Sequence, residues 1–459
     1  MKKKRAAVLA VILSVGLLAA ACGRSGSDSS SSGSKDSGSA ASAKCSGAKL
    51  EATEIGVSAD TITVEVMADT GSALAPGLFQ GNVDAINAFA KWVNANGGIG
   101  CRQMKVVQWD SKLDPTEAKN GIINACQTSL SMVGGNALFN PDVTVLGNCV
   151  DKAGQPVGLP DFAALANDIN EQCAPNSWVL QAVAESCTTL TGTRDLKAFK
   201  GQFDFYKTVD PNLTAVWLVP GDLPTTVQSS TYQILAAQNN GIKVPADNAL
   251  KVSGRTEQSG FTTYIQAAKS SGANMFYDGS NDVAMTKLRK EAAAQGLTGT
   301  KVWACSLACY TEAFKANGSV VDGTYVWMQF LPFEEASSNK AVQTYVDAVG
   351  GKPDSFGAQA WQSAMAFKKT IDEIVAKDGP NAITRKSVIE KMKTLEFDAD
   401  GWIGKRTGQK VFSDCMVVMQ MNNGKFERVF PKQAGTLDCK PEYVTTVKLD
   451  PQEAAKSIK

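Results

Sequence analysis

Short β-branched runs alternate with amphipathic helical stretches from about Lys49 onward. The first run, Thr61–Met67, is followed by a loop rich in small residues and Pro, then by a helix that ends at Asn96-Gly97-Gly98, a typical C-cap. The pattern continues with predicted strands Met104–Trp109, Ser131–Gly134 and Gln155–Leu159, and with a predicted helix Pro115–Leu130. This alternation favours a parallel, doubly wound sheet.

The same alternation restarts further along the chain. Predicted strands are Ala215–Val219, Leu250–Ser253, Asn274–Tyr277, Lys301–Ala304 and Thr324–Phe330, with helices Thr225–Asn239, Phe261–Ser270 and Val283–Gln295 between them. Helices Phe356–Ala376 and Arg385–Leu395 precede a hairpin that turns at Asn422-Asn423-Gly424. Two sets of βα units predict an α/β fold of two doubly wound parallel-sheet lobes: 49–192 plus about 332–410, and 193–331 plus about 411–459.

The N-terminus has the pattern of an export signal. Lys2–Arg5 is basic, and the apolar stretch Ala6–Leu18 would rise about 20 Å as a helix, too short for a hydrocarbon core of about 30 Å. Residues 1–21 are therefore predicted to be a signal peptide. The end of the signal resembles that of a bacterial lipoprotein, cut before Cys22, which would receive lipid; ordinary cleavage is the alternative, because Ala19-x-Ala21 suits it too.

Residues 22–48 are predicted to be the anchor and a linker. Residues 23–43 are nearly all Ser, Gly and Ala, and they cannot bury enough apolar area to offset the entropy of ordering. A flexible tether after an acylated Cys22 would hold a folded domain at the cell membrane, on its extracytoplasmic side.

Composition excludes several classes of function. The 459 residues include 46 Lys plus Arg and 45 Asp plus Glu, so no basic surplus points to nucleic acid as a partner. The chain has no histidine, which excludes Ser-His-Asp and Cys-His nucleophile pairs and His-based zinc sites. P-loop and dinucleotide-binding signatures are absent from the sequence as well. We predict no catalytic residue, no metal and no cofactor.

Cysteine number fits an oxidising compartment. Of eleven cysteines, ten remain when Cys22 is set aside for lipid, enough for five disulfides. Topology favours the pairs Cys45–Cys101 and Cys126–Cys149, with Cys101–Cys126 as an alternative, and the local pairs are Cys173–Cys187, Cys305–Cys309 and Cys415–Cys439. For Cys305-x-x-x-Cys309, the lack of His and of a second pair at zinc spacing favours a structural bridge over a metal or redox site.

The segment Val66–Asp114 resembles the start of the leucine/isoleucine/valine-binding family. A Gly/Pro loop follows the first strand, the first helix ends in Asn-x-x-Gly-Gly-Ile, and an Asp and then Asp114-Pro115 follow the second strand. Tyr277–Asn281 also lies where that family has a ligand loop in its second lobe. The resemblance implies a type I periplasmic-binding fold, whose two lobes, joined by three crossings, close over a small solute and deliver it to the permease of an ABC importer. It implies a binding protein that is a monomer, not an enzyme.

In parallel sheets the ligand binds beyond the carboxyl ends of the strands. The candidate ligand-binding residues in the first lobe are Thr70, Gly71, Ser72, Asn136, Ala137, Leu138, Phe139, Asp161 and Phe162, and those in the second lobe are Gly221, Asp222, Gly279, Ser280, Asn281 and Ser306. Backbone N–H groups after the third strand would suit a ligand carboxylate.

Two departures from the family bear on the ligand. Members that bind amino acids offer hydroxyls after the third strand, where this chain has Asn136–Phe139, and an acidic residue after the strand that here ends at Ala304–Leu307. Asp278, Asp282 or Asp222 would have to replace that acidic residue. We therefore expect a larger, less polar or uncharged solute rather than leucine or valine.

Two other functions remain open at the level of sequence. The same fold could serve as a ligand sensor without a permease. A secreted hydrolase would need two carboxylates facing each other across the cleft, within about 5–10 Å, and Asp161 with Asp222 is the pair from opposite lobes that we consider.

Overall fold

A computed structural model of the chain describes residues 41, 43–182, 187, 191–456 and 458–459. The first of its two main sheets has the order β2-β1-β3-β4-β5, with all neighbours parallel. Its strands are β1 Thr61–Ala68, β2 Gln103–Asp110, β3 Ser131–Val133, β4 Asp161–Ala163 and β5 Ser177–Val179. The second sheet has the order β15-β14-β11-β10-β9-β7-β8, and β16 pairs with β14.

The strands of the second lobe include both parallel and antiparallel pairs. They are β6 Arg194–Phe199, β7 Ala215–Pro220, β8 Ala249–Val252, β9 Met275–Asp278, β10 Val302–Cys305, β11 Thr324–Met328, β14 Cys415–Asn422, β15 Lys425–Phe430, β16 Asp438–Cys439 and β17 Val444–Leu449. Strands β7 to β11 are parallel, whereas β14 and β15 are antiparallel additions at one edge. Strands β6 and β17 form a separate pair, as do β12 Glu396–Phe397 and β13 Arg406–Thr407.

Helices cover these sheets. They are α1 Gln80–Ala95, α2 Pro115–Thr128, α3 Thr144–Asn148, α4 Ile169–Cys173, α5 Gly201–Val209, α6 Pro224–Asn239, α7 Thr262–Ser271, α8 Asp282–Ala294, α9 Glu312–Lys315, α10 Lys340–Ala348, α11 Ser355–Asp378, α12 Arg385–Met392 and α13 Pro451–Ala455. Short 3₁₀ turns occur between them, including Leu307–Cys309 after β10.

The first lobe forms around β1. Its side chains Ile62, Val64 and Val66 are fully buried, as expected for a central parallel strand covered on both faces. Long helix α11 returns from later in the chain to this lobe, where Phe356 contacts Phe79 and Phe367 contacts Phe162. Phe79, Phe162 and Phe367 are buried, and each such side chain contributes roughly 1.5–3 kcal/mol.

The turn between α1 and β2 requires glycine. Gly97 and Gly98 adopt positive φ angles of 99° and 81°. A Cβ on Gly98 would lie 2.3 Å from the carbonyl oxygen of Arg102, so a side chain there would displace the start of β2. The hairpin turn is of the same kind, because Asn423 and Gly424 both have positive φ, which matches a type I′ turn.

The chain passes between the lobes three times: after β5, after β11 and before β14. The predicted fold of two parallel-sheet lobes joined by three crossings is confirmed. The exact lobe boundaries given above stay a prediction.

Five disulfides join the pairs that topology and local spacing favoured. They are Cys45–Cys101, Cys126–Cys149, Cys173–Cys187, Cys305–Cys309 and Cys415–Cys439. The alternative Cys101–Cys126 is not formed. The carboxylate of Asp278 lies close to the sulfurs of Cys305 and Cys309, but disulfide sulfurs are not thiolate ligands for a metal.

One strand prediction was wrong. Residues 155–159 are not a strand; Val150 and Pro156 form only an isolated bridge there, and the fourth strand is Asp161–Ala163. The described elements that were not predicted are strands β5, β6, β12, β13, β16 and β17 and helices α4, α5, α10 and α13. Cys22, the signal peptide and nearly all of the linker lie outside the described residues and stay predictions. Among the described residues, no helix has the length and apolar character needed to cross a bilayer.

Candidate ligand-binding site

A cavity of about 300 Å³ lies between the two lobes, where the carboxyl ends of strands from both sheets meet. Its wall is mainly apolar, with Leu74, Leu78, Phe79, Leu138 and Phe356 from the first lobe and Leu223, Val252, Leu307 and Trp327 from the second. Neutral polar side chains complete it, including Asn167, Gln202, Thr226, Ser229, Gln329 and Gln359. In the described part of the chain, the one charged side chain at this wall is that of Asp222.

The loop after β1 reaches the cavity, but through residues other than those predicted. Asp110 at the end of β2 accepts hydrogen bonds from the N–H groups of Thr70 and Gly71, at 3.0 and 3.1 Å. Burial acts to raise the pKa of Asp110, but these donors outweigh it and the pKa lies below its usual value. Thr70, Gly71 and Ser72 therefore shape the loop, and Leu74, Ala75 and Leu78 line the cavity.

The backbone N–H of Leu138, which follows β3, already donates a hydrogen bond to a carboxylate of the protein. The carboxylate of Asp69, fully buried at the end of β1, accepts the N–H of Leu138 at 2.8 Å and that of Leu113 at 2.7 Å. Burial raises the pKa of Asp69 despite these bonds. The N–H of Leu138 is thus engaged by a carboxylate of the protein itself, which disfavours a second carboxylate at this wall.

Of the four residues predicted after β3, only Leu138 lines the cavity. Asn136 and Ala137 are buried, and Asn136 pairs with Ala68 as an extension of β3. Phe139 is partly buried and does not line the cavity.

The prediction for Asp161 and Phe162 was wrong because the fourth strand begins six residues later than predicted. Both residues lie within β4, and Phe162 packs against Trp178 and Phe367. The residues that follow this strand at the cavity are Leu165, Ala166 and Asn167. Asp161 is 2% exposed and accepts a hydrogen bond from Ser177, and burial raises its pKa. It does not face Asp222 across the cavity, so the carboxylate pair needed for the hydrolase alternative is not formed.

In the second lobe, more of the predicted residues line the cavity than in the first lobe. Gly279, Ser280 and Asn281 follow β9 and all line the cavity. The Asn281 side chain caps α8 by accepting the N–H of Ala284 at 3.0 Å. Asp278 is fully buried behind this loop, so it is not available to a ligand ammonium group at the wall.

Asp222 is the candidate carboxylate that lines the cavity, whereas its neighbour Gly221 does not. Its oxygens accept hydrogen bonds from the Ser253 hydroxyl at 2.6 Å and from the Gly254 N–H at 2.8 Å. Asp222 therefore holds the turn after β8. The remaining alternative, Asp282, accepts a hydrogen bond from Thr311 and lies outside the cavity wall.

A disulfide encloses one part of the wall. Cys305 ends β10 and Cys309 ends the following 3₁₀ turn, and the three residues between them, Ser306, Leu307 and Ala308, all line the cavity. The Ser355 hydroxyl, at the start of α11, donates to the Leu307 carbonyl at 3.0 Å. This bond joins the two lobes.

A second direct hydrogen bond also joins the two lobes. The Thr225 hydroxyl, in the first turn of α6, donates to the Leu138 carbonyl at 2.7 Å. A Cβ on Gly254 would lie 2.7 Å from the Leu74 carbonyl oxygen, so the two backbones are in close contact there. The lobes are thus closed over the cavity.

Several wall residues come from elements that no sequence pattern marks as part of a site. Phe356 and Gln359 lie one turn apart on α11, Trp327 lies on β11, and Gln329 and Phe412 lie on the crossing segments. Because the neighbouring residues are apolar or helical, the sequence pattern predicts that these residues are part of the hydrophobic core. For Gln329 and Phe412, the one indication was that the segments connecting the two lobes of the expected fold pass beside the cleft.

A family model described as periplasmic binding protein matches residues 61–425. The chain belongs to this family. No curated protein is significantly similar to it in sequence. The predicted resemblance is confirmed, and the cavity occupies the interlobe position expected of a periplasmic binding protein.

Solved structures with the same fold include an ABC transporter substrate-binding protein from Aeropyrum pernix, with a TM-score of 0.64 and 11% identity over 86% of this chain and 99% of that chain. The leucine binding protein LivK from Thermotoga maritima has a TM-score of 0.57 and 14% identity, covering 83% and 99%. A solute-binding protein from R. palustris in complex with benzoate has a TM-score of 0.58 and 16% identity, covering 82% and 99%. At these identities the similarity shows the fold.

Proposed function

We propose that this periplasmic binding protein captures a small solute outside the cytoplasm and delivers it, unaltered, to the permease of an ABC importer. The observation that carries the proposal is the cavity of about 300 Å³ enclosed by both lobes. A solute that contacts both walls favours the closed state, and a permease can recognise closure. Binding is the output, and no catalytic step is required.

The solute that fits this wall is mainly apolar and lacks the paired charges of a free amino acid. The described wall carries no Lys or Arg to pair with a ligand carboxylate. The N–H of Leu138 is engaged by Asp69, and Asp222, the carboxylate at the wall, is engaged by Ser253 and Gly254. Leucine or valine would leave both of its charges poorly paired in a low-dielectric site, which is costly.

The anchor is part of the same proposal. Lipid on Cys22, followed by the Ser- and Gly-rich linker, would hold the protein at the extracytoplasmic face of the cell membrane as a monomer. A Cys22→Ser variant expressed in a bacterial host is expected to leave the membrane fraction and appear in the soluble extracytoplasmic fraction. A variant that stays membrane-bound would contradict lipid anchoring, and gel filtration of the purified variant tests the monomer.

A thermal-shift screen against a metabolite library, followed by small-angle scattering with each hit, tests the central proposal. We expect at least one solute to raise the melting temperature and to reduce the radius of gyration, because it stabilises the closed state. A library that gives no such solute would contradict capture as the function. Turnover of a hit, followed by chromatography, would instead indicate an enzyme.

A further inference from the structure

Two buried glutamines at the cavity wall have side-chain atoms without hydrogen-bond partners among the described residues. Gln359, in the first turns of α11, is 1% exposed, and both its Oε1 and its Nε2 are unpartnered. Gln202, near the start of α5, is also 1% exposed, and its Oε1 is unpartnered. Both side chains line the cavity, one from each lobe.

The two glutamines differ in which amide atoms remain available to hydrogen-bond a ligand. Gln202 hydrogen bonds to the hydroxyl of Tyr277, which also accepts from Trp327 Nε1 at 3.0 Å. Since Gln202 Oε1 is unpartnered, this bond uses Nε2, and Gln202 then presents an acceptor. Gln359 presents both a donor and an acceptor. An unpaired amide is costly to bury, so such groups in a native structure call for a partner.

The chemistry of these atoms restricts that partner. A carboxylate only accepts hydrogen bonds, so it would leave the two Oε1 atoms unpaired and place a charge in an apolar cavity. An ammonium group only donates, so it would leave Gln359 Nε2 unpaired. A primary carboxamide, which has two N–H donors and one C=O acceptor, can pair with all three atoms, whereas a secondary amide has one N–H for the two Oε1 acceptors.

We propose that Gln359 and Gln202 select a solute whose polar end is an uncharged primary carboxamide, carried on an apolar body. This inference rests on the proposed function and gives that site its ligand class. The apolar body would contact the leucine-rich wall, and the amide would contact both lobes and so couple recognition to closure. A site built to hydrogen-bond a polar group strongly rejects analogues that cannot pair with it.

The test uses two matched probe series: benzamide, benzoate and benzylamine, and hexanamide, hexanoate and hexylamine. Binding to the purified full chain is followed by melting temperature and by tryptophan fluorescence, since Trp327 lines the cavity. We expect both carboxamides to bind at least about tenfold more tightly than their charged partners. Equal or tighter binding of the charged partners, or no binding by either carboxamide, would overturn the inference.

Gln359→Met is expected to weaken carboxamide binding at least tenfold and to abolish discrimination within each series. Without a ligand it is expected to raise the melting temperature by about 1–3 °C, because a buried unpaired amide is removed. Gln202→Met is a second variant and should weaken carboxamide binding too. The matched control is Gln362→Met, which removes another buried amide of α11 that is absent from this cavity wall. Its binding should equal that of the wild type.

The outcomes separate the two proposals. If Gln359→Met retains the wild-type preference for carboxamides, the role of Gln359 is refuted although the protein still binds solutes. If charged solutes from the metabolite library bind and the carboxamides do not, the ligand class is wrong and the binding function stands. If no solute of any class binds, the proposed function itself fails.

Discussion

Asp278 is a buried carboxyl group next to the loop of the second lobe that lines the cavity. It ends β9, is fully buried, and its Oδ1 accepts the Ser280 N–H at 2.7 Å. Burial raises its pKa to about 8, and the neighbouring charge of Asp282 adds to the rise. The raised pKa makes Asp278 a source of pH-dependent stability.

We expect the stability contribution of Asp278 to decrease as pH rises from about 4 to about 8. In this window the unfolded chain has lost the proton while the folded protein keeps it, so the folded state binds more protons and loses stability with rising pH. Asp278→Asn keeps the acceptor for Ser280 and removes the titration. Its melting temperature should exceed that of the wild type by more than about 2 °C above pH 8, and by less at pH 4.

The matched control for this prediction is Asp60→Asn, which removes one charge from an exposed position. Its melting temperature, measured beside that of Asp278→Asn at each pH, gives the baseline for the loss of one exposed carboxylate. A difference for Asp278→Asn that does not grow between pH 4 and pH 8 would show that Asp278 has an ordinary pKa.

Sequence reasoning identified residues that line the cavity where a loop alone fixes the position. Gly279, Ser280 and Asn281 directly follow a predicted strand, and they line the cavity. Gln359 has no such signal, because a Gln inside a long amphipathic helix is usually read as part of a helix face. Its position at the cavity depends on where α11 lies relative to the opposite lobe, and no local sequence pattern encodes that tertiary arrangement.

Among the secondary-structure elements, the strands and helices of the regular alternation were predicted, including the three-residue β3, whereas β4, β5, β6 and β17 were not. Strand β4 has three residues and contains Asp161, so neither its length nor its pattern distinguishes it from a loop. Strand β17 pairs with β6 about 250 residues earlier in the chain, and tertiary context decides such a pairing. The error at β4 moved two candidate residues from the cavity into the sheet.

Two disulfides are expected to contribute to different degrees to stability and to binding. Cys45–Cys101 spans 56 residues and Cys305–Cys309 spans 4. By the loop-entropy relation, the first contributes about 4 kcal/mol and the second about 2 kcal/mol. The second, however, encloses Ser306–Ala308 at the cavity wall. Replacing both cysteines of each pair by Ala separates these roles.

We expect the Cys45/Cys101 variant to lose more unfolding free energy in urea and to bind solute like the wild type. The Cys305/Cys309 variant should lose less stability but bind solute several-fold more weakly, because the wall loop is no longer held. The Cys415/Cys439 pair, which lies outside the cavity wall, serves as a second control. Equal binding by all three variants would show that the short disulfide does not preorganise the site.

At the scale of the whole molecule, free branched-chain amino acids are not expected to stabilise the protein. The described cavity wall lacks a cation for the ligand carboxylate, and Asp69 engages the N–H of Leu138. Leucine, isoleucine and valine at millimolar concentration should shift the melting temperature by less than about 1 °C. A clear rise with leucine would contradict this prediction and indicate an ammonium site at Asp222.

Closure itself is testable without changing the ligand contacts of either wall. The hydroxyls of Thr225 and Ser355 each donate to a carbonyl of the opposite lobe. Each neutral hydrogen bond contributes about 1 kcal/mol, so Thr225→Val and Ser355→Ala should each weaken solute binding by up to about fivefold by favouring the open state. Thr262→Val, which removes a hydroxyl bonded within the second lobe, should leave binding unchanged.

Gly254→Ala tests the same equilibrium sterically. The added Cβ would lie 2.7 Å from the Leu74 carbonyl oxygen of the first lobe, a distance that the closed state cannot accommodate without a shift of backbone. We expect this variant to fold normally, since the conflict exists only between lobes, and to keep a larger radius of gyration than the wild type at saturating solute. Scattering curves that superimpose for the two liganded proteins would mean that the lobes meet differently in solution. Because closure is the signal that a permease would read, a variant that binds weakly and stays open should also fail to support uptake.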